Sequence, residues 1–111
     1  MSLMLSATET QFQEAVVEAA QVHGWIVAHF RPAKTEKGWR TPVAADGKGF
    51  PDLVLAHPQR GVLFRELKSE KGKVSPEQQV WIDTLTAGGA DAGFWRPRDW
   101  DDIERVLRGR P

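Results

Sequence analysis

The spacing of hydrophobic and polar positions changes along the chain, and in the first segment it matches the period of a helix. Residues 8–23 place Phe12, Val16 and Ala19 on one stripe at helical spacing. Two overlapping capping-box patterns precede the stripe and a glycine follows it. The pattern predicts an amphipathic first helix.

Short apolar runs follow this helix and predict strands at residues 25–30, 52–56 and 62–68. The last two runs are separated by five residues rich in turn formers. Residues 31–49, between the first and second runs, contain two prolines and three glycines. We predict a long loop there, and loops of that length in small domains are commonly functional or mobile.

The remaining third of the chain predicts a helix, a strand and a second helix. Ser75 and Pro76 are typical of the N-cap and the first helical position, so a helix over residues 75–87 is expected. A short strand over 92–96 and a helix over 97–107, capped by Asp99, follow. The order α-β-β-β-α-β-α predicts an α/β fold, a central mixed sheet flanked by helices.

Composition narrows the class of protein. The 111 residues include 15 Lys and Arg, 15 Asp and Glu, and no Cys, so one domain over 1–111, with its core at about 8–107, is expected. The absence of Cys excludes disulfides and a thiolate nucleophile, and the three widely spaced His residues fit no zinc motif. Neither a signal peptide nor a run of ~18 apolar residues is present, so we expect a cytoplasmic protein without a membrane partner.

Positive charge is concentrated in the predicted loop, although the net charge is zero. Residues 31–49 carry five basic and two acidic residues. Such a segment can contact phosphates, and its tryptophan can stack on a base; the alternative is a solvated loop. With two lysines after the third strand, the candidate nucleic-acid contacts are Arg31, Lys34, Lys37, Trp39, Arg40, Lys48, Lys71 and Lys73.

Two predicted strands bring acidic side chains together. Asp52 opens one strand, and Glu66 and Lys68 lie near the end of the next, on the same face because strand side chains alternate. If the strands pair as a hairpin, Asp52 and Glu66 converge within reach of one Mg²⁺ or Mn²⁺ ion. A lysine beside them can orient or deprotonate water, or stabilise charge at phosphorus. The alternative is an ordinary surface ion pair.

The sequence around these residues resembles a known nuclease signature. Gly49-Phe50-Pro51-Asp52, thirteen residues, then Glu66-Leu67-Lys68 resembles PD-(D/E)XK nucleases, and the surroundings resemble the stand-alone VRR-NUC (virus-type replication-repair nuclease) family. The resemblance spans roughly residues 8–107. Its further motifs are Thr8-Glu9-x-x-Phe12-Gln13, Gly24-Trp25, Ser75-Pro76-Glu77-Gln78 and Trp95-Arg96-Pro97.

The resemblance implies a metal-dependent nuclease that acts on structured DNA, with four-way (Holliday) junctions as the expected substrate. The metal would be held by Asp52, Glu66, Glu9 and the backbone carbonyl of Leu67, with Lys68 assisting the water. Flap or restriction-like cleavage, or a non-catalytic nucleic-acid-binding module with the same fold, are the alternatives.

The resemblance also implies two supporting side chains. The family places a first-helix glutamate near the metal, and Glu9 both fits its motif and falls on the inward side of the helix by periodicity, unlike Glu14 and Glu18. The family also has a glutamine at the start of the helix after the Glu-x-Lys strand, which Gln78 matches. The alternatives are a helix cap or dipole partner for Glu9, and a capping-box residue for Gln78.

A homodimer is expected, because one chain supplies one catalytic set and symmetric cleavage of a junction needs two. Small members of the resembled family can also be dimeric. The surfaces considered for pairing are the last helix around Ile103, Val106 and Leu107, and an exposed face of the first helix.

Overall fold

The computed structural model describes residues 3–30, 33–35, 38–40 and 43–109, with the backbone only for 33–35 and 38–40. Its helices and strands, in chain order, are α1 (Glu9–Val22), β1 (Ile26–His29), β2 (Ala33–Thr35), β3 (Gly38–Arg40), β4 (Leu53–His57), β5 (Gly61–Leu67), α2 (Pro76–Ala87), β6 (Asp91–Trp95) and α3 (Trp100–Arg108). No helix of the described part is long and apolar enough to span a bilayer.

Four strands form the central sheet in the order β1-β4-β5-β6. β1 and β5 both run antiparallel to β4, whereas β6 runs parallel to β5. A parallel pair needs a long crossover connection, and α2 supplies it between β5 and β6. The predicted α/β fold with a mixed sheet and flanking helices is confirmed.

The main core lies between the sheet and helices α1 and α3. Phe12 and Val16 of α1, Leu55 of β4 and Ile103 of α3 are fully buried in it. The indole N–H of Trp25 donates to the carbonyl oxygen of Leu107 at 2.9 Å, which ties the start of β1 to the end of α3. The helical stripe predicted from the sequence is therefore the surface that α1 buries.

Helix α2 packs on the opposite face of the sheet. Strand alternation places Leu63 and Leu67 of β5 in the main core, so Phe64 and Glu66 face α2. Ile82 is the buried residue of this helix. α2 therefore covers the face that carries the predicted acidic residue.

Capping explains where the helices begin. Two begin as predicted, and the last begins later than predicted. Thr8 and Ser75 form capping boxes with the residues three positions later, as the sequence patterns predict. The last helix begins at Trp100, three residues later than predicted, after a 3₁₀ turn at Pro97–Asp99. Asp99 holds the N-cap position, but its carboxylate accepts from the backbone N–H of Arg96 at 2.8 Å rather than from the helix.

The prediction of an unstructured loop over residues 31–49 was wrong in its first half. β2 and β3 pair antiparallel there and form a separate two-stranded hairpin. Its connecting residues, Glu36 and Lys37, lack the Asn-Gly or Asp-Gly pattern of two-residue hairpins. The glycines and prolines around it favoured a loop assignment, whereas Thr35 and Trp39 favour a strand.

The expectation that the last helix forms a dimer surface was also wrong for two of its three residues. Ile103 and Leu107 have no exposed surface because the helix turns them into the protein's own core. Val106 is half-buried against the same core. An amphipathic stripe shows that a helix packs on something, and here the partner is within the chain.

Candidate active site

The pairing of β4 with β5 brings Asp52 beside Glu66. Leu53 pairs with Arg65, so Asp52, one residue before β4, lies opposite Glu66 in the same register. One carboxylate oxygen of Asp52, Oδ2, accepts from the backbone N–H of Leu67 at 3.0 Å. This bond fixes the Asp52 side chain at the point where β5 ends.

Glu66 is an almost completely buried acid, 4% exposed. Its Oε2 accepts from Nε2 of Gln78 at 3.0 Å and lies 3.8 Å from Nζ of Lys68. Its Oε1 is buried and has no hydrogen-bond partner among the described residues. A buried oxygen without a partner carries a substantial desolvation cost, so this atom has the environment of a ligand for a bound cation.

The pKa of Glu66 is raised from 4.5 to about 8, and burial is the largest cause of this rise. The negative charge of Asp52 contributes to the same rise, while the positive charge of Lys68 acts in the opposite direction. Neighbouring carboxylates disfavour each other's ionised form, and a positive charge nearby relieves that repulsion. A divalent cation between them would replace the proton that the metal-free pair retains.

Gln78 uses both ends of its amide group. Its Oε1 accepts from the backbone N–H of Ser75 at 3.0 Å, and its backbone N–H donates to Oγ of Ser75 at 3.2 Å. Its Nε2 donates to Glu66. The two interpretations of this residue from the sequence, capping and site support, therefore coexist in one side chain.

Gly49 is a residue that the sequence analysis missed as a positioning element. Its φ is +86°, and a Cβ there would lie 2.6 Å from the backbone carbon of Glu77 and 2.8 Å from the nitrogen of Gln78. The segment before Asp52 therefore rests directly on the first turn of α2. The sequence signal was a glycine three residues before the aspartate, which indicates a turn but not its contact.

Aromatic packing holds the same segment. Phe50 makes edge-to-face contacts with Phe30, Phe64 and Trp81, at ring-centroid distances of 5.6, 6.3 and 5.0 Å. These rings come from the end of β1, from β5 and from α2. The backbone that leads to Asp52 is therefore held in place by packed aromatic side chains and is not a free loop.

Arg96 organises the segment after Lys68 and was also missed. Its Nη1 donates to the carbonyl oxygens of Ser69 and Gly72 at 2.6 and 2.9 Å. The backbone N–H of Lys68 donates to the carbonyl of Trp95 at 3.0 Å, which extends the β5–β6 pairing by one residue. The sequence does not predict the contact of Arg96 with this segment, because the contact depends on the parallel pairing of β6 with β5.

The structure does not bring Glu9 together with Asp52 and Glu66. The described residues contain no group of three or more His, Cys, Asp or Glu side chains that could hold a metal ion. Glu9 is exposed at the first residue of α1. Periodicity places it toward the inward side, but side chains lean toward the helix N-terminus, so a first-turn residue can project beyond the core that its stripe covers.

The predicted nucleic-acid contacts are distributed over three places. Lys34 lies in β2 and pairs with Trp39 of β3, next to Arg40. Arg31 and Lys37 lie outside the described residues. The side chains of Lys48, Lys71 and Lys73 are exposed, the last two in the segment that Arg96 anchors.

The family model of the VRR-NUC domain matches residues 8–99 of the chain. The chain belongs to the VRR-NUC family. Searches of curated proteins and of solved structures returned no match. Membership implies a nuclease of the PD-(D/E)XK type and, in general, dependence on a divalent metal.

The donor set of this chain fits such a metal. Two adjacent carboxyl groups, one with an unpartnered buried oxygen, are hard oxygen ligands of the kind that Mg²⁺ and Mn²⁺ prefer. The structure thus brings together Asp52, Glu66, Lys68 and Gln78 of the predicted catalytic set and leaves Glu9 apart.

Proposed function

We propose that this VRR-NUC protein is a Mg²⁺- or Mn²⁺-dependent DNA endonuclease that acts on structured DNA, with four-way junctions as its preferred substrate. The observation that supports it most is the buried Oε1 of Glu66, which lies beside the carboxyl group of Asp52 and has no hydrogen-bond partner in the described part of the chain. A structural ion pair would satisfy both oxygens, whereas a cation site leaves one for the ion.

Asp52, Glu66 and the backbone carbonyl of Leu67 would hold the ion. When bound, the metal would act as a Lewis acid on the phosphate and lower the pKa of a nearby water. The chain itself keeps the two carboxyl groups in place: Leu67 donates its N–H to Asp52, and Gln78 donates to Glu66. Outer hydrogen-bond partners of this kind orient metal ligands.

Lys68 supplies the fixed positive charge of the site. Its side chain is 15% exposed, and its Nζ is 3.8 Å from Glu66. A partly desolvated ammonium group there can orient the attacking water and stabilise negative charge that develops on the phosphate. The proposal gives Glu9 no metal-binding role; its position in the first turn of α1 suits a favourable interaction with the helix dipole.

The basic residues of the β2–β3 hairpin, together with Lys48, Lys71 and Lys73, would contact the phosphates of the substrate. A junction is cut symmetrically only when two active sites face it, so the proposal includes a homodimer.

Cleavage of labelled DNA tests the proposal. Duplex, flap, splayed-arm and four-way-junction substrates are incubated with the wild-type protein and with Mg²⁺, Mn²⁺ or EDTA. We expect metal-dependent cleavage, fastest on the junction, that is abolished in D52N and E66Q. The control variant D102N changes an exposed acid on α3 and should cleave normally.

Each result has a distinct meaning. Cleavage by D52N or E66Q at the wild-type rate would contradict the assigned site. Faster cleavage of flaps than of junctions would support the flap nuclease instead. DNA binding by the wild type without cleavage under any metal condition would favour a non-catalytic binding module.

A further inference from the structure

An open, largely apolar groove lies between α2 and the segment that precedes Gly49. Its volume is about 600 Å³, within the range of small-molecule sites. We call it the α2 groove; its principal lining residues are Ala45, Asp46, Lys48, Glu77, Val80 and Trp81. Val80 is 63% exposed at the wall of this groove.

The α2 groove and the candidate active site share the first turns of α2 and the segment around Phe50. Glu77, which lines the groove, directly precedes Gln78, which donates to Glu66. Trp81 lines the groove and also packs against Phe50, two residues before Asp52. A DNA strand that crosses the first turns of α2 would therefore pass from the carboxyl pair to the groove.

The orientation of the tryptophan is fixed. Its indole N–H donates to the carbonyl oxygen of Asp46 at 2.9 Å, and its ring is perpendicular to that of Phe50, at an interplanar angle of 84°. A preoriented aromatic ring is the usual surface for stacking an unpaired base, which costs little ordering of the protein.

The charges of the groove favour a base over a phosphate. Asp46 and Glu77 carry two negative charges against the single positive charge of Lys48. Carboxylates repel a phosphate but accept hydrogen bonds from the exocyclic amino groups of cytosine and adenine. Lys48 at the same groove can contact the backbone of the nucleotide whose base enters it.

We propose that the α2 groove binds an unpaired nucleobase of the substrate strand next to the scissile phosphate. The proposal rests on the DNA nuclease function proposed above and adds a specificity device to it. DNA with an unpaired nucleotide at the cleavage point would gain a stacking contact that paired duplex cannot make. The protein would thereby select branched or frayed DNA at the level of one base.

Val80→Asn is the decisive variant. Truncating Trp81 would also disturb Phe50 and hence Asp52, whereas Val80 is exposed and Val and Asn have similar helix propensities. Val22→Asn is the matched control, because Val22 is a 73% exposed valine on the other side of the sheet, in α1.

Binding is measured first, in EDTA, so that no cleavage occurs. The probe is a splayed-arm DNA with the fluorescent adenine analogue 2-aminopurine at the first unpaired position, compared with a fully paired duplex carrying the same base. We expect the wild type and V22N to quench the unpaired probe on binding and V80N to quench it markedly less. Equal quenching by all three proteins would overturn the proposal.

Cleavage is then measured with Mn²⁺ on the same two DNAs. One stacked base is worth about five- to tenfold at the lower end of measured values. Because V80N keeps Trp81 and only places a polar group beside the stacked base, it should reduce the preference for splayed over paired DNA by part of that factor. Its rate on paired duplex, relative to that of V22N, should fall less than its rate on splayed DNA. An equal loss on both DNAs would also overturn the proposal, because it would indicate general weakening of binding.

The two proposals fail in different ways. If no DNA is cut by the wild type, the nuclease function fails while the quenching experiment still decides the groove. If cleavage is normal and V80N behaves as V22N does in both measurements, the groove assignment fails and the nuclease function stands.

Discussion

At the scale of single residues, the carboxyl group of Glu66 depends on neighbours from three segments. Asp52 precedes β4, Lys68 follows β5, and Gln78 belongs to α2. Asp52 raises the pKa of Glu66 and Lys68 opposes that rise, while Gln78 donates a hydrogen bond to one carboxylate oxygen. The balance favours the protonated form in the metal-free protein.

This balance predicts an unusual pH dependence of stability in EDTA. Since the folded-state pKa of Glu66 is about 8 and its ordinary value is 4.5, the folded state binds an extra proton between those values. Its contribution to the free energy of unfolding is therefore fully present below pH 4.5 and is lost as the pH rises toward 8, by at most about 1.4 kcal/mol per pH unit.

Urea unfolding in EDTA from pH 5 to 8 measures this effect. E66Q should show a smaller decline in stability with rising pH than the wild type, and E14Q, which changes an exposed glutamate, should decline as the wild type does. Added Mn²⁺ should stabilise the wild type more at pH 8 than at pH 5, because metal binds the ionised form. Identical slopes for wild type and E66Q would contradict the prediction.

At the scale of elements, the site depends on how a loop meets a helix. The segment from Gly49 to Asp52 lies on the first turn of α2, and the pairing of β4 with β5 places its last residue beside Glu66. Each contact comes from a different pair of elements. A shift of the segment would move Asp52 relative to Glu66 without changing any ligand.

Gly49→Ala tests this arrangement, with Gly89→Ala as its control. Both glycines have left-handed φ, +86° and +92°, but a Cβ at Gly89 meets nothing within 4 Å. G89A should cost about 1–2 kcal/mol in the free energy of unfolding from backbone strain alone. G49A should cost a further ~1–3 kcal/mol from the overlap with α2 and should also slow cleavage.

Urea unfolding gives the two stabilities, and cleavage rates are compared under conditions in which both variants remain folded. Equal losses of stability with unchanged cleavage would mean that the close approach to α2 does not position Asp52.

The basic hairpin is the second element with an expected role. Replacing Lys34, Lys37 and Arg40 together by Ala should weaken DNA binding and lower the log–log salt slope by about one unit for each lost phosphate contact. The control replaces Arg98, Arg105 and Arg108, each of which is ion-paired with an acid. Fluorescence anisotropy across a salt series measures both slopes. If the hairpin variant keeps the wild-type salt slope, this segment is solvated surface that does not contact phosphates.

At the scale of the whole molecule, the open question for the proposed function is how two sites are brought to one junction. The last helix buries Ile103 and Leu107 in its own core, so it offers little apolar surface for pairing. Ile26 and Val62 remain 76% and 49% exposed, and both flank Ala56 on the face of the sheet that carries Glu66. That face and the exposed face of α1 are the remaining surfaces for a homodimer.

Sedimentation at micromolar concentration should give twice the chain mass of 12.4 kDa for the free protein, and that mass plus the mass of the DNA for the junction complex. Ile26→Lys should give a monomer if the sheet face pairs, because a buried unpaired charge opposes association. Gln21→Lys tests the face of α1 in the same way. A mass of 12.4 kDa under every condition, with paired junction cuts still observed, would contradict the homodimer.

Local patterns were sufficient to predict most of the elements. Phe12 and Val16 at helical spacing predicted the buried stripe of α1, and the alternation along β5 predicted that Glu66 and Lys68 share a face. Such features depend on residues close in the chain, so periodicity and capping are enough to find them. Glu9 shows the limit of predicting site residues from helical periodicity, because periodicity gives the direction of a side chain but not what lies opposite it.

Contacts between distant segments required the folded chain. The approach of Gly49 to α2, the bond from Gln78 to Glu66 and the anchoring of Ser69 by Arg96 join residues 12 to 29 positions apart. Their geometry is set by strand register and by the packing of α2, which no spacing along the sequence encodes directly. The residue types of the site are therefore a property of the sequence, whereas the buried, unpartnered oxygen of Glu66 is a property of the packing around it.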